Sequence, residues 1–292
     1  MKPPTPRHVL LTTDAVGGVW TYALDLAGAL RGRGTAVTLA VLGPAPDAAQ
    51  REAAAGIGGL KLVETGLPLD WIEHDPERLA AAGRSLAALA AASGVDLVHL
   101  NSPALAADAR FPVPVVGGCH SCLASWWSAV KGDEPMPEGF RWRTDLLGRG
   151  YAACDRLIAP SYAFMQTTAA LYGVVPEAVH NGRAAPPAPG GAGRRPAALT
   201  SGRLWDEGKN LRTLDRAAGR MRHPVCAAGS LAGPDGPAVA PDHLVCLGQL
   251  DAAGLRQELE RATAFASLSL YEPFGLGVLE AAQAGCALVL SD

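Results

Sequence analysis

The chain has 292 residues, of which 49% are hydrophobic and 18% charged, and its formal net charge is -3. That length suits two α/β domains with sizeable cores, and the charge gives no electrostatic reason to expect nucleic acid, or more than a peripheral contact with a membrane. The N-terminal Met1-Lys2-Pro3-Pro4-Thr5-Pro6-Arg7 runs into a strand without the apolar stretch of a signal peptide, and no segment is apolar enough to span a bilayer, so a cytoplasmic, soluble protein is expected.

Segments of strand and helix character then alternate, which predicts parallel sheets covered by helices. The first strand, His8–Thr13, leads through Asp14-Ala15-Val16-Gly17-Gly18 into a helix over Val19–Arg31. A strand, a glycine loop and a helix start together make an anion site, because unpaired backbone N–H groups and the positive end of the helix dipole point the same way. The loop lacks the full G-x-G-x-x-G fingerprint, which counts against a dehydrogenase. Strands are predicted next at Ala36–Leu42, Leu60–Glu64, Leu97–Asn101 and Val113–Gly117, with a helix over Pro76–Ala92 and loops around Asp70–Asp75 and Val130–Trp142.

His120 follows the strand that begins at Val113, at the carboxyl end where open α/β sheets place their ligands, although a histidine there also serves as a cap or core residue. The six cysteines (Cys119, Cys122, Cys154, Cys226, Cys246, Cys286) are too sparse for a disulfide framework and read as reduced, packed thiols. Cys119-His120-Ser121-Cys122 has no second pair at the spacing a structural zinc requires, so neither a metal nor a cofactor is expected. Trp126 and Trp127 suit stacking on an acceptor ring or packing of the next helix, and packing is the commoner role. Strands at Leu157–Ala159 and Ala178–His180 flank a helix over Tyr162–Tyr172, with Ser161 as its cap and Asn181-Gly182 as a turn.

From Arg183 to Pro196 the chain is rich in Ala, Pro and Gly and has no periodicity, which marks a linker between domains at 1–182 and 197–292. A second series begins with a strand at Ala198–Gly202, a helix over Leu211–Met221, and strands near Val225–Ala228, Leu244–Leu247, Ala264–Leu270 and Ala287–Leu290. The first of these strands ends in Ser201-Gly202-Arg203-Leu204-Trp205-Asp206-Glu207-Gly208-Lys209, where Arg203 and Lys209 can both reach an anionic oxygen, one as a planar fork and the other as a point charge. Cations oppose the dipole at a helix start, so a bound anion would account for them. After Ala264–Leu270 comes Tyr271-Glu272-Pro273-Phe274-Gly275-Leu276-Gly277-Val278-Leu279-Glu280-Ala281-Ala282, again a strand, a glycine turn and a helix, predicted over Leu276–Ala284. Glu272 and Glu280, with seven residues between them, suit hydroxyls rather than phosphate.

This last stretch resembles the family 4 glycosyltransferases, whose C-terminal domain carries Glu-Pro-Phe-Gly-Leu-x-x-Leu-Glu-Ala, matched here nearly letter for letter by 272–281. The resemblance implies a GT-B architecture, two Rossmann-like domains of parallel sheet facing across a cleft, with an acceptor-side domain first and a nucleotide-sugar-binding domain second. It implies that Glu280 takes the ribose hydroxyls of the donor nucleotide and Glu272 the sugar hydroxyls, while the amides of Phe274, Gly275 and Leu276 meet sugar and diphosphate. Gly17 and Gly18 match the family's N-terminal glycine loop, which contacts the diphosphate. Arg203 and Lys209 match its Gly-Arg…Lys signature, which neutralises the leaving diphosphate; the commoner form has Lys five residues after Arg, then Gly, whereas here Gly208 precedes Lys209. His120 matches a histidine that contacts a sugar hydroxyl.

The implied reaction is transfer of a hexosyl group from a nucleotide-diphosphate sugar to a glycan, lipid-linked or small-molecule acceptor, with retention of configuration, as in glycan biosynthesis. The chain lacks an Asp-x-Asp metal clamp, so the charge of the leaving group falls to Arg203, Lys209 and the helix starts, and the reaction is expected to need no metal. The family's second domain continues through a further strand and closing helices, so this one is expected to be incomplete at Asp292. Three other readings stay open: a sugar-nucleotide-binding fragment without turnover, a glycoside hydrolase working through two carboxylates, and, within the GT-B architecture that the resemblance implies, a sugar-nucleotide epimerase.

Overall fold

The computed structural model describes residues 5–184, 193–233 and 238–291. The middle of the predicted linker, 185–192, lies outside the described residues. The chain divides into two compact units, one of residues 1–128 and 133–182, the other of 183–292 together with 129–132.

The first unit carries β1 (His8–Asp14), α1 (Gly18–Arg31), β2 (Ala36–Leu42), α2 (Ala48–Ala55), β3 (Leu60–Glu64), α3 (Pro76–Ser93), β4 (Leu97–Leu100), β5 (Val115–Gly118), α4 (Leu123–Lys131), α5 (Glu138–Ala153), β6 (Arg156–Ala159), α6 (Tyr162–Tyr172) and β7 (Glu177–Ala178). The seven strands among its described residues pair in the order β3-β2-β1-β4-β5-β6-β7, all parallel. Parallel strands buried on both faces read as unbroken apolar runs, and β1 shows why. Leu10 joins a core with Leu79, Leu86 and Leu146 from α3 and α5, whereas Leu11 joins a second core with Trp20, Ala23 and Ala27 of α1 and Ala54 of α2. Successive side chains leave a strand on opposite faces, so one apolar run serves two helical layers. Truncating either leucine to alanine is expected to cost about 2–5 kcal/mol.

The second unit holds β8 (Arg195–Ser201), α7 (Leu211–Ala218), β9 (Val225–Ala228), β10 (Val245–Gly248), α8 (Ala252–Arg261), β11 (Ala262–Ser267), α9 (Leu276–Gln283) and β12 (Ala287–Leu290). These strands pair in the order β10-β9-β8-β11-β12, again all parallel. Leu199 of β8 packs with Leu259, Phe265 and Ala281 on one face, and Ala198 with Leu211, Leu214 and Ala266 on the other.

Each sheet has a point where the order of strands reverses, between β1 and β4 in the first unit and between β8 and β11 in the second. Loops leaving the carboxyl ends of those strands diverge, and open α/β sheets hold ligands in the space this creates. The loops concerned carry Asp14–Gly18 and Asn101 in one unit, and Gly202–Lys209 and Leu268–Gly275 in the other.

Two expectations about loops are corrected. The segment 130–142, read as a loop, contains the end of α4 and the first residues of α5, whose N-cap is Pro137 with Glu138 in the first turn. The strand expected to reach Leu270 ends at Ser267, because the Leu270 amide donates to Gly208 O at 2.8 Å instead of to a neighbouring strand.

Candidate active site

In the second unit the end of β8 turns through Gly202 into a single 3-10 turn, Glu207–Lys209, that precedes α7. Asp206, almost wholly buried, builds this turn. Its Oδ1 accepts from Gly208 N at 2.9 Å and its Oδ2 from Arg203 Nη2 at 3.2 Å. Arg203 is more exposed, and its guanidinium lies 5.8 Å from the centre of the Trp205 ring. The carbonyl of Gly208 accepts from Leu270 N at 2.8 Å and from Tyr271 N at 3.3 Å, which ties the loop after β11 to the 3-10 turn. That tie sets Lys209 Nζ 2.5 Å from Glu272 Oε2.

Past Glu272 the backbone turns at Gly275, whose φ of 90° and ψ of 63° are strained for any residue with a Cβ. Gly275 is the N-cap of α9 and offers no side-chain cap to the amides that follow. Gly277 lies in the first turn of that helix, where an added Cβ would sit 3.3 Å from Ser201 Oγ, so the helix start is pressed against the end of β8. One turn on, Glu280 Oε1 lies 2.9 Å from Arg183 Nη2, with both side chains about a quarter exposed or less. Gln283 Nε2 donates to Arg183 O at 3.2 Å and helps hold that arginine against α9.

The structure thus brings Lys209 and Glu272 together, and it places Arg203, Phe274, Gly275, Leu276 and Glu280 on the loops and helix around the same strand ends. Each of the four expected charges carries an ionic partner within the fold: Arg203 pairs with Asp206, Lys209 with Glu272 and Glu280 with Arg183. A bound anion is therefore not needed to account for the two cations.

In the first unit Asp14 Oδ1 accepts from Val16 N at 2.8 Å and shapes the loop before Gly17, the N-cap of α1, which again lacks a side-chain cap. Gly18 is exposed at the helix start. His120 Nε2 lies 2.8 Å from Asn101 Oδ1, and its ring meets that of Tyr22 edge-on at 4.5 Å. Burial, and next the charge of His99, hold the His120 pKa down to about 3, while burial holds His99 down to about 4. Burial pushes the Tyr22 hydroxyl up to about 12. None of the three carries charge near neutral pH.

A family model described as Glycosyltransferase Family 4 matches residues 16–183, more than half of the chain. The chain belongs to glycosyltransferase family 4. That match covers most of the first unit, with Gly17, Gly18 and His120, so it is independent of the Glu272–Glu280 pattern. The glycosyltransferase is similar in structure to a sucrose-phosphate synthase from Thermosynechococcus elongatus, at a TM-score of 0.72 and 16% identity over 97% of this chain and 81% of that one. It is similar also to WaaG, a glycosyltransferase involved in lipopolysaccharide biosynthesis, at 0.65 and 12% over 97% and 80%. Arabidopsis thaliana UGT89C1 complexed with UDP-L-rhamnose aligns at 0.59 and 17% over 99% and 79%. No curated protein matches the sequence. The paired parallel sheets are those of GT-B glycosyltransferases. No helix among the described residues is long and apolar enough to cross a membrane.

Several residues that shape this glycosyltransferase escaped the sequence reading. Asp206 and Arg183 are ion partners of predicted site residues, and only the cap-like position of Asp206 ahead of Gly208-Lys209 hints at its work. Arg143 is buried in α5 and donates to the carbonyls of Ile72, Glu73 and Gly139, so it fixes the loop that follows β3. Asp70, in that loop, has its pKa raised to about 6, chiefly by burial. Other candidates have local roles. Ser161 Oγ caps α6 by accepting from Phe164 N at 3.1 Å, Cys122 Sγ accepts from Ser125 N at the start of α4, and Trp127 packs edge-on against Phe140.

Proposed function

We propose that this glycosyltransferase moves a sugar from a nucleotide-diphosphate sugar to an acceptor hydroxyl, with retention of anomeric configuration and without a metal ion. The observation that carries the reading is the Lys209–Glu272 contact beside the start of α9, which sets a cation, a carboxylate and backbone amides without a side-chain cap at one pair of strand ends. A sugar diphosphate asks for this combination. Its hydroxyls donate to a carboxylate, and its phosphate oxygens accept from amides and cations. The UDP-L-rhamnose held by a protein of similar fold supports a nucleotide sugar as the donor.

In this reading Glu280 accepts from the two ribose hydroxyls and Glu272 from the sugar, with Phe274, Gly275 and Leu276 offering their amides. Arg183 sets the orientation of the Glu280 carboxylate. The bond from the anomeric carbon to the diphosphate oxygen breaks as the bond to the acceptor oxygen forms, and the acceptor's proton passes to the departing phosphate. Arg203 and Lys209 stabilise the charge that develops on that leaving group, and Gly17 and Gly18 offer amides to it. His120 meets a sugar hydroxyl. The acceptor belongs to the first unit and is a glycan, a lipid-linked saccharide or a small molecule. A glycoside hydrolase works through two carboxyl groups that both face the scissile bond, whereas Glu272 and Glu280 are each engaged by a cation of the fold, Lys209 and Arg183.

The test is a thermal-shift titration with UDP, GDP and ADP, run beside Glu280→Ala. A ligand that binds only the folded state raises its melting temperature. A base-selective rise that disappears in the variant is expected. No rise with any of the three, in a protein that melts cooperatively, would overturn the donor site.

A further inference from the structure

Between β1 and β4 the backbone ladder runs no further than Leu11 and His99. Beyond that point a side chain joins the two strands. Asn101 Nδ2 donates to Thr12 O at 2.6 Å, and Asn101 N donates to Thr12 Oγ1 at 2.9 Å. The first of these bonds settles which way the amide faces, since turning it over would set Oδ1 against a carbonyl oxygen. Oδ1 therefore faces two imidazoles, with His120 Nε2 at 2.8 Å and His99 Nε2 at 3.1 Å.

An amide oxygen can only accept, so both Nε2 atoms carry hydrogen. A neutral ring with its proton on Nε2 has its lone pair on Nδ1, and no described residue bonds Nδ1 of His120. Gly118 leaves room for this arrangement. A Cβ added there would stand 2.7 Å from His120 Nε2 and 3.1 Å from Asn101 Oδ1, too close for either to stay where it is.

We propose that Asn101 is a positioning residue that locks His120 in its Nε2–H form, so that Nδ1 is offered as an acceptor to a hydroxyl of the bound sugar. This rests on the donor reading above for the identity of the partner, but the locking itself does not. A hydroxyl donates to such a nitrogen and a carboxylate is repelled by it, so the device favours a neutral sugar at that contact. His99 takes the other lone pair of the same oxygen, which leaves Asn101 no freedom to release His120.

The experiment is a long-range proton–nitrogen correlation spectrum of the histidine rings of the full chain near pH 7.5, assigned with His120→Gln and His99→Gln. His120 is expected as the Nε2–H tautomer, in the native protein and in Asn101→Asp, which keeps an acceptor at Oδ1. In Asn101→Leu the ring is expected to populate Nδ1–H, with kcat for transfer lowered about tenfold, the worth of one hydrogen bond, and with nucleoside diphosphate affinity unchanged. Gly118→Ala, which displaces the ring by contact, is expected to shift the tautomer in the same direction and covers the case in which Asn101→Leu does not fold. A native His120 protonated on Nδ1, or Nε2–H persisting in both variants, would overturn the proposal. The two readings fail separately: a protein that binds no nucleoside diphosphate while showing the Nε2–H ring loses the donor site and keeps the lock.

Discussion

The two sets of strand ends hold their side chains in opposite electrical states. In the first unit Thr12, Asn101, His99 and His120 are joined by hydrogen bonds between neutral groups, and burial keeps both imidazoles uncharged. In the second, Arg203, Lys209 and Glu280 stand in ion pairs with Asp206, Glu272 and Arg183, each pair with at least one side chain partly open to solvent. A neutral network has its geometry settled before any ligand arrives. Partly solvated ion pairs cost little to open, because solvent already compensates for much of their attraction. On the proposed reading such pairs suit an adjustable grip on an anionic ligand in the second unit, whereas the neutral network of the first unit suits a rigid contact.

The comparison is most sharply tested by removing the cations. Arg203→Ala and Lys209→Ala are each expected to lower kcat by roughly 10²–10³-fold, the range for losing one preorganised donor to developing charge, while nucleoside binding changes far less. Equal losses in nucleoside affinity and turnover would show that the cations serve binding rather than the leaving group. Glu280→Ala is expected to weaken nucleoside diphosphate binding by about 1.5–3 kcal/mol, the value of hydrogen bonds to a charged group. Calorimetric titration measures this, and an unchanged affinity for every nucleoside diphosphate would remove Glu280 from the site.

Acid is expected to discriminate between the two networks. The folded imidazoles sit at about 4 and 3 against 6.5 when exposed, so below pH 6.5 the unfolded chain binds more protons and stability falls with falling pH until the folded values are reached. By pH 5 that amounts to roughly 2 kcal/mol for each ring. Asp70 acts in the opposite sense between 3.8 and about 6, where its folded form holds the proton more tightly, and returns about 1 kcal/mol at pH 5. Urea unfolding at pH 7 and pH 5 checks the sum, and His99→Gln should flatten the slope. The smallest effect belongs to the other unit. Glu272→Gln breaks one ion pair and is expected to cost about 0–1 kcal/mol of stability, within the usual range for solvated pairs, while weakening sugar contact.

Much of the fold was legible because both sheets are parallel and their strands are short apolar runs. Ala36–Leu42, Leu60–Glu64, Val225–Ala228, Ala287–Leu290 and the helix Tyr162–Tyr172 have the predicted bounds. The helix α5 was hidden by the turn-like Gly132-Asp133-Glu134-Pro135 before it and by Gly139, Gly148 and Gly150 within it, which lower intrinsic helix propensity. It is held instead by contacts made at long range, such as Arg143 to the carbonyls of Ile72 and Glu73. The site was legible where glycine and charge recur at strand ends, as at Gly17-Gly18 and Glu272–Glu280. Its internal partners were not. Nothing along the sequence says that Arg183 meets Glu280 or that Asn101 reaches both Thr12 and His120, since those contacts arise only when distant strands are set side by side.

The Gly208 carbonyl, shared by the amides of Leu270 and Tyr271, gives the second unit a mechanical property. The segment bearing Lys209 and the segment bearing Glu272 are riveted at one oxygen, so neither can swing away without breaking the same joint. Slow amide exchange at Leu270 would then report on the stiffness of both segments at once, and a ligand gripping either would tighten the whole assembly.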